Sequence, residues 1–456
     1  MLDLILHDAK LIFPREDERY GSLGVQDGKI AGIYLDRETP AARRRIDVGG
    51  RPLLPGAVDP HIHLGVRGDR YDEEILTETR AALKGGITTV GCYLREKGSY
   101  VGKVEDFAAR GRSKIYTDIL FHLVILEPSQ IPDIPMLAER YGNPAFKFYL
   151  HGIPGLPIMD AENLLKAFTV IAGLKQPGMA CVHAEDHAMC VDGMARLKAM
   201  KNPTTLADWA QTSPDGSEAE AVRLSASAAQ KTGARLYIVH LSSALGLEAV
   251  REARASGVSL HCETTSTYLF YDNEDVAGMK LRRHPPIRTA TDRAALWTGV
   301  ADGSIETIGT DNVTANAEEN NFTGTFWENR GGMPCLATHL SQLLHMGVHK
   351  RGLPLSLLAD RISRRPAEIF GLYPQKGSFQ EGADADLVVI EPDLEKVVRG
   401  TETGSRTDFT PLEGRMLRGW PVMVIKGGEV VVEESNLTCD SGIGHILNQI
   451  PSLPHM

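Results

Sequence analysis

Two histidines one residue apart, His61 and His63, follow an apolar run that begins at Leu53. In a β-strand, residues i and i+2 lie on the same face, so both imidazole rings point to one side. Two imidazoles at the end of a strand can together bind one metal ion. An isolated His-x-His is equally compatible with two ordinary polar residues, because histidine is only intermediate in its tendency to be buried. The rest of the chain decides between these two interpretations.

Three further residues that can bind a metal end other short apolar runs, namely His183, His240 and Asp311. A single histidine at a strand end is more often structural than a ligand. With the first two histidines and Lys147, however, these residues form a set of six at the same end of successive runs. Separate structural roles for each residue do not explain that shared placement.

Lys147 is the unusual member of the set, because it lies within the aromatic run Ala-Phe-Lys-Phe-Tyr. A charged lysine in an apolar strand costs several kcal/mol, which favours the neutral amine. The structural alternative is a side chain that extends outward and places its ammonium group in water. The functional interpretation is that the neutral amine takes up carbon dioxide as a carbamate, an anion that can bridge two metal ions.

Eight short apolar runs alternate with helical patterns through the middle of the chain. They cover residues 53–58, 87–92, 119–126, 145–150, 179–183, 236–240, 258–262 and 307–310. Most are apolar nearly throughout, as parallel strands covered on both faces are. Eight strand–helix units over about 300 residues predict an α/β fold, the (β/α)8 TIM barrel. The six candidate ligands then lie at the C-terminal ends of strands, where such barrels carry their active sites.

Both ends of the chain have a β-rich pattern instead. Asp27-Gly28 and Gly427-Gly428 each separate two apolar runs, which is a strong signal for a hairpin. We therefore expect a smaller β-sandwich domain built from residues 1–52 and 375–434, around a barrel of residues 53–374. The tail, residues 435–456, has little pattern, and we expect it to cover a neighbouring subunit or to be disordered.

The composition is that of an ordinary globular protein, with 42% hydrophobic and 24% charged residues in a chain of 456. The net charge of -10 argues against a nucleic-acid surface. No apolar run reaches the roughly 18 residues of a membrane span, and the N-terminus does not resemble a signal peptide. Six scattered cysteines indicate reduced thiols, so we expect a cytoplasmic protein that binds neither nucleic acid nor membrane.

Taken together, the motifs resemble the amidohydrolase superfamily. They are Asp59-x-His61-x-His63, Phe146-Lys147, Val182-His183-Ala184-Glu185, Val239-His240-Leu241-Ser242, Gly309-Thr310-Asp311, Gly85-Gly86-Ile87-Thr88-Thr89, His284-Pro285-Pro286-Ile287-Arg288 and Gly382-Ala383-Asp384-Ala385-Asp386-Leu387. The chain is most similar to the cyclic-amide group, which includes hydantoinases, dihydropyrimidinases, allantoinases and dihydroorotases. The likeness covers nearly the whole chain.

The resemblance implies a binuclear metal site, with Zn²⁺ as the expected ion. The expected ligands are His61, His63 and Asp311 for one ion, His183 and His240 for the other, and carboxylated Lys147 with a hydroxide as bridges. The hydroxide would attack a ring carbonyl, and Asp311 would act as general base and then as general acid. The implied activity is hydrolysis of a C–N bond in a cyclic amide, imide or ureide. The implied partners are a small-molecule substrate and further copies of the chain, as a dimer or tetramer.

The expected substrate-binding residues are Arg67, Arg95, Tyr149, His284 and Pro286. Gly152 stands where hydantoinases have a tyrosine that assists the oxyanion, and Tyr149 is the nearest substitute. Arg67, Arg95 and Lys97 follow the first two barrel strands, and arginine binds carboxylates through two parallel hydrogen bonds. They predict a ring substrate with an acidic substituent, with Arg67 as its main partner.

Two alternatives stay open. The first is a non-catalytic scaffold with the same fold, although such relatives typically lose metal ligands and all six are present here. The second is a hydrolase of acyclic N-acyl or N-carbamoyl substrates.

Overall fold

Two nine-stranded β-sheets organise the chain, one parallel and one mixed. The computed structural model describes residues 1–35, 38–66, 68, 70–142, 145–152 and 157–450. The parallel sheet forms the barrel, and the mixed sheet joins the two ends of the chain.

The N-terminal strands begin the mixed sheet. They are β1 (Leu2–Leu11), β2 (Arg19–Gln26), β3 (Lys29–Tyr34), β4 (Ala42–Asp47) and β5 (Pro52–Pro55). The predicted hairpin turn joins β2 to β3, and Asp27 and Gly28 adopt φ values of 49° and 74° there. Gly56 then carries the chain into the barrel, and a Cβ at this position would lie 2.2 Å from Thr88 Oγ1. Only glycine permits so close an approach.

The barrel strands follow in chain order. They are β6 (Ala57–His63), β7 (Ile87–Arg95), β8 (Asp118–Val124), β9 (Ala145–Tyr149), β10 (Met179–His183), β11 (Leu236–Ile238), β12 (Leu260–Thr265), β13 (Thr307–Gly309) and β14 (Asn312–Val313). β13 pairs with β12, while β14 pairs with β6. β13 and β14 are therefore two parts of one interrupted eighth strand that closes the barrel. This arrangement confirms the predicted TIM barrel.

Helices connect these strands and cover the barrel. They are α1 (Tyr71–Lys84), α2 (Lys103–Gly111), α3 (Ile134–Tyr141), α4 (Ala161–Ala172), α5 (His187–Met200), α6 (Leu206–Ala210), α7 (Asp215–Thr232), α8 (Ala244–Ala255), α9 (Ser266–Phe270), α10 (Ala290–Asp302), α11 (Ala317–Asn320), α12 (His339–Leu343), α13 (Leu355–Ala359) and α14 (Arg365–Ile369). A π-helical segment, Leu344–His349, extends α12, and another, Asp360–Arg364, joins α13 to α14. None of the described helices combines the length and apolar character needed to cross a bilayer.

The C-terminal strands complete the mixed sheet. They are β15 (Leu387–Val397), β16 (Met416–Lys426), β17 (Glu429–Glu433) and β18 (Asn436–Leu437). β5 lies between β1 and β15, so it joins the two ends of the chain in one sheet. Leu6 and Leu23 from one end share a separate hydrophobic cluster with Val389 and Ile425 from the other. The smaller domain is thus built from both termini, as the sequence predicts, whereas the exact domain boundaries stay a prediction.

Two barrel strands differ from the sequence prediction. The predicted run 53–58 divides at Gly56 into β5 and β6, and β6 extends to His63, so that His61 and His63 end the first barrel strand as predicted. The predicted run 258–262 lies two to three residues too early, because Glu263, Thr264 and Thr265 belong to β12 although they are polar. These side chains are fully buried. Hydropathy alone does not identify polar residues that line a barrel.

The C-terminal tail packs on its own chain as far as residue 450, in contrast to the expectation of disorder or of contact with another subunit. Leu447 donates its backbone N–H to Ile119 at 2.8 Å. Asn448 accepts from the Phe121 N–H at 2.6 Å and donates to the Phe121 carbonyl at 3.1 Å. These bonds occupy backbone groups of β8 that its short neighbour β9 does not reach. All six cysteines are free thiols.

Candidate active site

The barrel places the candidate ligands together at the C-terminal ends of its strands. Lys147, His183 and the two histidines of β6 are buried, as is His240, and 11% of the Asp311 side chain is exposed. His240 and Asp311 have positive φ values of 42° and 50°. Such backbone conformations cost of order 1–3 kcal/mol outside glycine and cluster at functional sites. The break between β13 and β14 turns Asp311 toward the histidines.

His61, His63 and Asp311 form one compact group. His61 Nε2 lies 3.3 Å from His63 Nε2 and 3.3 Å from Asp311 Oδ1. His63 Nε2 lies 3.4 Å from the same carboxylate oxygen. The three ligand atoms all fall within 4.8 Å of one another, so one cation could contact them all.

His183 and His240 form a second pair beside this group. His183 Nδ1 lies 2.9 Å from His240 Nε2. The ring of His240 stacks on His61 with 5.4 Å between the ring centroids, so the two groups adjoin. Two ring nitrogens that face each other at hydrogen-bond distance need a proton or a cation between them.

Lys147 reaches the first group from β9. Its Nζ lies 2.7 Å from His61 Nε2 and 4.6 Å from the centre of the Tyr93 ring. The residue is 1% exposed, so its side chain does not extend to solvent. Among the described residues, no carboxylate oxygen lies within 4 Å of Nζ. Burying a charged lysine without an anionic partner costs free energy, unless the amine loses its proton or is modified.

Two buried glutamates orient the histidine rings. Glu263 Oε1 lies 2.9 Å from His61 Nδ1, and Glu185 Oε2 lies 2.7 Å from His183 Nε2. Each carboxylate favours the tautomer that donates to it, which leaves the opposite ring nitrogen with a lone pair toward the centre of the site. Carboxylates that orient histidines in this way are typical of metal sites.

The electrostatics of the group suit a cation. Burial lowers the pKa of His63 to about 4, so this imidazole is neutral at neutral pH. Burial acts to raise the pKa of Asp311, but His61, His63 and Arg283 together hold that pKa well below its usual range. Neutral imidazoles with an anionic carboxylate are a donor set that fits Zn²⁺.

A second acidic group, Asp118 with Asp384 and Asp386, lies outside this site. Lys376 already pairs with these carboxylates, and Lys426 pairs with two of them. The ammonium groups take the place of a cation, so this group is a buried ion-pair network.

Five of the six candidate ligands, all except His61, border a cavity of about 550 Å³. Of the predicted substrate-binding residues, Arg95, Tyr149 and His284 line it. Pro286 is buried but does not line the cavity, and Arg67 lies outside the described residues. Lys97 is exposed and does not line the cavity either.

Several cavity residues were not identified from the sequence. Arg282 and Arg283 line the cavity, together with Trp327 and Asn329. Arg283 donates from Nη2 to Asp311 Oδ2 at 2.5 Å. The sequence could have indicated the two arginines as cavity residues, because they immediately precede the His284-Pro285-Pro286 motif.

Comparison with known proteins is consistent with this arrangement. The amidohydrolase family model matches residues 198–431. The D-hydantoinase of Geobacillus stearothermophilus is 30% identical over 438 residues, which cover 93% of this chain and 92% of the relative. The L-hydantoinase of Paenarthrobacter aurescens is 28% identical over 98% of both chains. The solved structure of L-hydantoinase from Arthrobacter aurescens superposes with a TM-score of 0.91 at 27% identity, covering 98% of this chain and 99% of that one.

The chain belongs to the amidohydrolase family. The resemblance stated from the motifs is thereby confirmed. Amidohydrolases are metal-dependent enzymes, and the His61, His63 and Asp311 group is a candidate metal site in this one.

Tyr149 and His284, two of the predicted substrate-binding residues, lie beside the cavity of this amidohydrolase. Tyr149 lines the cavity, and its ring centre is 5.3 Å from Lys147 Nζ, whereas Gly152 offers no hydroxyl. His284 packs 5.4 Å from the Trp209 ring. Its Nδ1 has no hydrogen-bond partner within the described part of the chain. A polar ligand in the cavity could supply that partner.

Proposed function

We propose that this amidohydrolase is a binuclear metal-dependent enzyme that opens a cyclic amide, imide or ureide ring. The observation that carries the proposal is the convergence of six donor residues at one end of the barrel, two of which share a carboxylate neighbour at 3.3–3.4 Å. Relatives named for hydantoin, a small ring, over nine-tenths of the chain support this substrate class.

The ligand assignment follows the two groups of side chains. His61, His63 and Asp311 would hold one ion and His183 and His240 the other, and Lys147, once carboxylated, would be a ligand shared by the two groups. Zn²⁺ is the ion that suits this set of imidazoles. Carboxylation of the Lys147 amine by carbon dioxide would give a carbamate anion in place of a buried cation that has no described carboxylate partner. When bound, the ions would lower the pKa of water to about 7 and polarise the ring carbonyl.

Asp311 is the proposed proton carrier. Its low pKa keeps the carboxylate ionised at neutral pH, ready to accept a proton from the attacking water. The same carboxylate then returns the proton to the ring nitrogen as the C–N bond breaks. Proton transfer by a positioned group contributes typically about 10²–10⁴-fold to a rate.

Tyr149 and His284 are the proposed neutral contacts to the ring. Both line the cavity, and the His284 Nδ1 is buried without a partner among the described residues. A cavity of about 550 Å³ lies within the range of small-molecule sites, roughly 300–1,000 Å³. It accommodates a substituted five- or six-membered ring. Pro286 is buried and does not line the cavity, so we do not expect it to touch the substrate.

The test combines metal content with a substrate panel. Protein purified with Zn²⁺ should hold about two ions per chain, and it should open at least one member of a panel of hydantoins, dihydropyrimidines, allantoin, dihydroorotate and cyclic imides. Chelation should remove the activity, and Zn²⁺ should restore it. Absence of both metal and ring opening would contradict the proposal. Turnover of N-carbamoyl amino acids alone would favour the acyclic alternative.

Assembly and location stay predictions from the sequence. We expect a homo-oligomer, a dimer or tetramer, which light scattering of the purified protein tests directly. Cytoplasmic location is testable by fractionation.

A further inference from the structure

Arginine side chains dominate the charge of the active-site cavity. Arg95, Arg282, Arg283 and Arg330 all line it. Among the described lining residues, only Asp311 and Glu328 are carboxylates. The protein as a whole has a net charge of -10, so this excess of positive charge is a local feature.

Arg283 is the arginine whose surroundings are most unusual. It is 7% exposed, binds Asp311 Oδ2 through Nη2 and lies with its guanidinium carbon 4.7 Å from the centre of the Tyr268 ring. Its Nε and Nη1 are buried without a hydrogen-bond partner in the described part of the protein. Leaving a buried charged donor unpaired is costly. Described protein groups therefore satisfy only some of the hydrogen-bond donors of this guanidinium.

The geometry of a guanidinium indicates what would satisfy the rest. Nε with Nη2, or Nη1 with Nη2, presents two parallel N–H groups that match one carboxylate. Because Arg283 lines the cavity, a small rotation of its last side-chain bonds would turn either pair toward a ligand there. Neutral carbonyl oxygens would satisfy these donors less well, because charge-assisted hydrogen bonds are roughly twice as strong.

Arg95 lies on the other side of the same metal-ligand group. It is the last residue of β7, whereas Arg283 lies in the connection that follows β12. The interrupted eighth strand and β6 stand between those two strands in the barrel. The two arginines therefore flank His63 and Asp311, and Arg95 also has a buried Nε with no partner among the described residues.

We infer that the cavity selects a ring substrate that carries a carboxylate, with Arg283 as its principal partner and Arg95 as its second. The inference rests on the proposed function and narrows its substrate class. It keeps the acidic substituent predicted from the sequence but assigns it to described residues in place of Arg67. Arg282 is not assigned this role, because its guanidinium stacks 4.3 Å from the centre of the Trp209 ring.

The test uses pairs of rings that differ only in the acidic substituent. Dihydrouracil is compared with dihydroorotate, and hydantoin with hydantoin-5-acetate, on the Zn²⁺-loaded enzyme. We expect at least a tenfold higher kcat/KM for the carboxylate member of one pair. Binding is measured separately by calorimetry with orotate and uracil, which the enzyme cannot open by the same reaction, and orotate should bind more tightly.

Variants assign the preference to residues. Arg283→Gln should reduce the ratio of acidic to neutral kcat/KM by about 10- to 100-fold, mainly through KM, because a charged hydrogen-bond partner is lost. Arg283→Lys should retain part of the preference, and Arg95→Gln should reduce it less. Arg351→Gln is the matched control, because that guanidinium stacks on Trp297 outside the cavity and should leave the ratio unchanged.

The outcomes separate this inference from the proposed function. If no ring is opened, the proposed function fails, and the orotate and uracil affinities still test the carboxylate site. If rings are opened but the carboxylate gives no advantage, the inference is overturned and the proposed function stands. If Arg283→Gln slows acidic and neutral rings equally, Arg283 only positions Asp311, and its assignment here is wrong.

Discussion

Replacement of Glu185 by glutamine should weaken one of the two proposed ions selectively. Glu185 is fully buried, and its Oε2 lies 2.7 Å from His183 Nε2. Its other oxygen accepts a hydrogen bond from the Ser213 hydroxyl. An amide keeps the size and one acceptor oxygen but removes the negative charge. The His183 ring should therefore stay in place while its Nδ1 becomes a poorer donor to a metal.

The expected magnitude follows from this arrangement. Loss of an outer carboxylate typically costs about 10–100-fold in metal affinity. That range corresponds to about 1.4–2.7 kcal/mol at about 1.4 kcal/mol per factor of ten. His61 in the other group has a different orienting carboxylate, Glu263 at 2.9 Å, so the affinity of that group should change by less than about threefold.

Competition with a chromophoric chelator measures both affinities in one titration. Wild type should release two ions in two phases, and Glu185→Gln should shift only one of them. Glu263→Gln is the matched variant and should shift the other phase most, with a smaller effect on the second because Glu263 also accepts the His240 backbone N–H at 3.0 Å. Equal melting temperatures of the metal-free proteins exclude a general loss of structure. A Glu185→Gln protein with both phases unchanged, or both equally weakened, would refute the proposed division of ligands.

Three further predictions address the bridge, the proton carrier and acid stability. Lys147→Ala should lose metal and activity, and short carboxylic acids should restore part of both. Full metal content and turnover in this variant would contradict the proposed bridging role of Lys147. Asp311→Asn should keep at least one ion yet lose about 10²–10⁴-fold in kcat, and a wild-type kcat would exclude its role. Burial acts to raise the pKa of Asp118, but Lys426 and Lys376 hold it well below its usual range. Its stabilisation is therefore complete above about pH 4 and lost as the pH falls further, so Asp118→Asn should lower the melting temperature at pH 7 and flatten its decrease below pH 4 in calorimetry.

The barrel and the candidate ligands could be predicted because each carries a local signal. A parallel strand covered on both faces must be apolar nearly throughout, and the polar residue that ends it marks the rim of the barrel. His183 ends β10 at the predicted residue. Lys147 could be identified because a charged lysine between two phenylalanines of an apolar strand is energetically unfavourable unless it reaches water or changes its chemistry.

Features that depend on distant contacts could not be predicted in this way. Arg283 follows the seventh barrel strand and Arg95 ends the second, and only the closed barrel brings both to one cavity. The tail bonds to β8 through Asn448, a contact across more than 300 residues that leaves no periodic pattern. Glu263 was not predicted as a site residue because its role is to hydrogen-bond His61 Nδ1, and His61 lies about 200 residues earlier in the chain.

The whole protein has a negative net charge, whereas its cavity is lined mainly by positive side chains. This difference affects how an anionic substrate would be recognised. A net charge of -10 repels anions at long range, but salt screens that repulsion beyond about 8 Å at physiological ionic strength. Inside the cavity, the arginine charges would act on a ligand at contact distance, where screening by salt is weak. Selectivity would then come from the hydrogen bonds of Arg283 and Arg95 with the substrate, and steering in solution would contribute little. The same cavity could then hold a carboxylate beside Asp311, because the guanidinium that binds Asp311 through Nη2 has no described partner at Nε or Nη1.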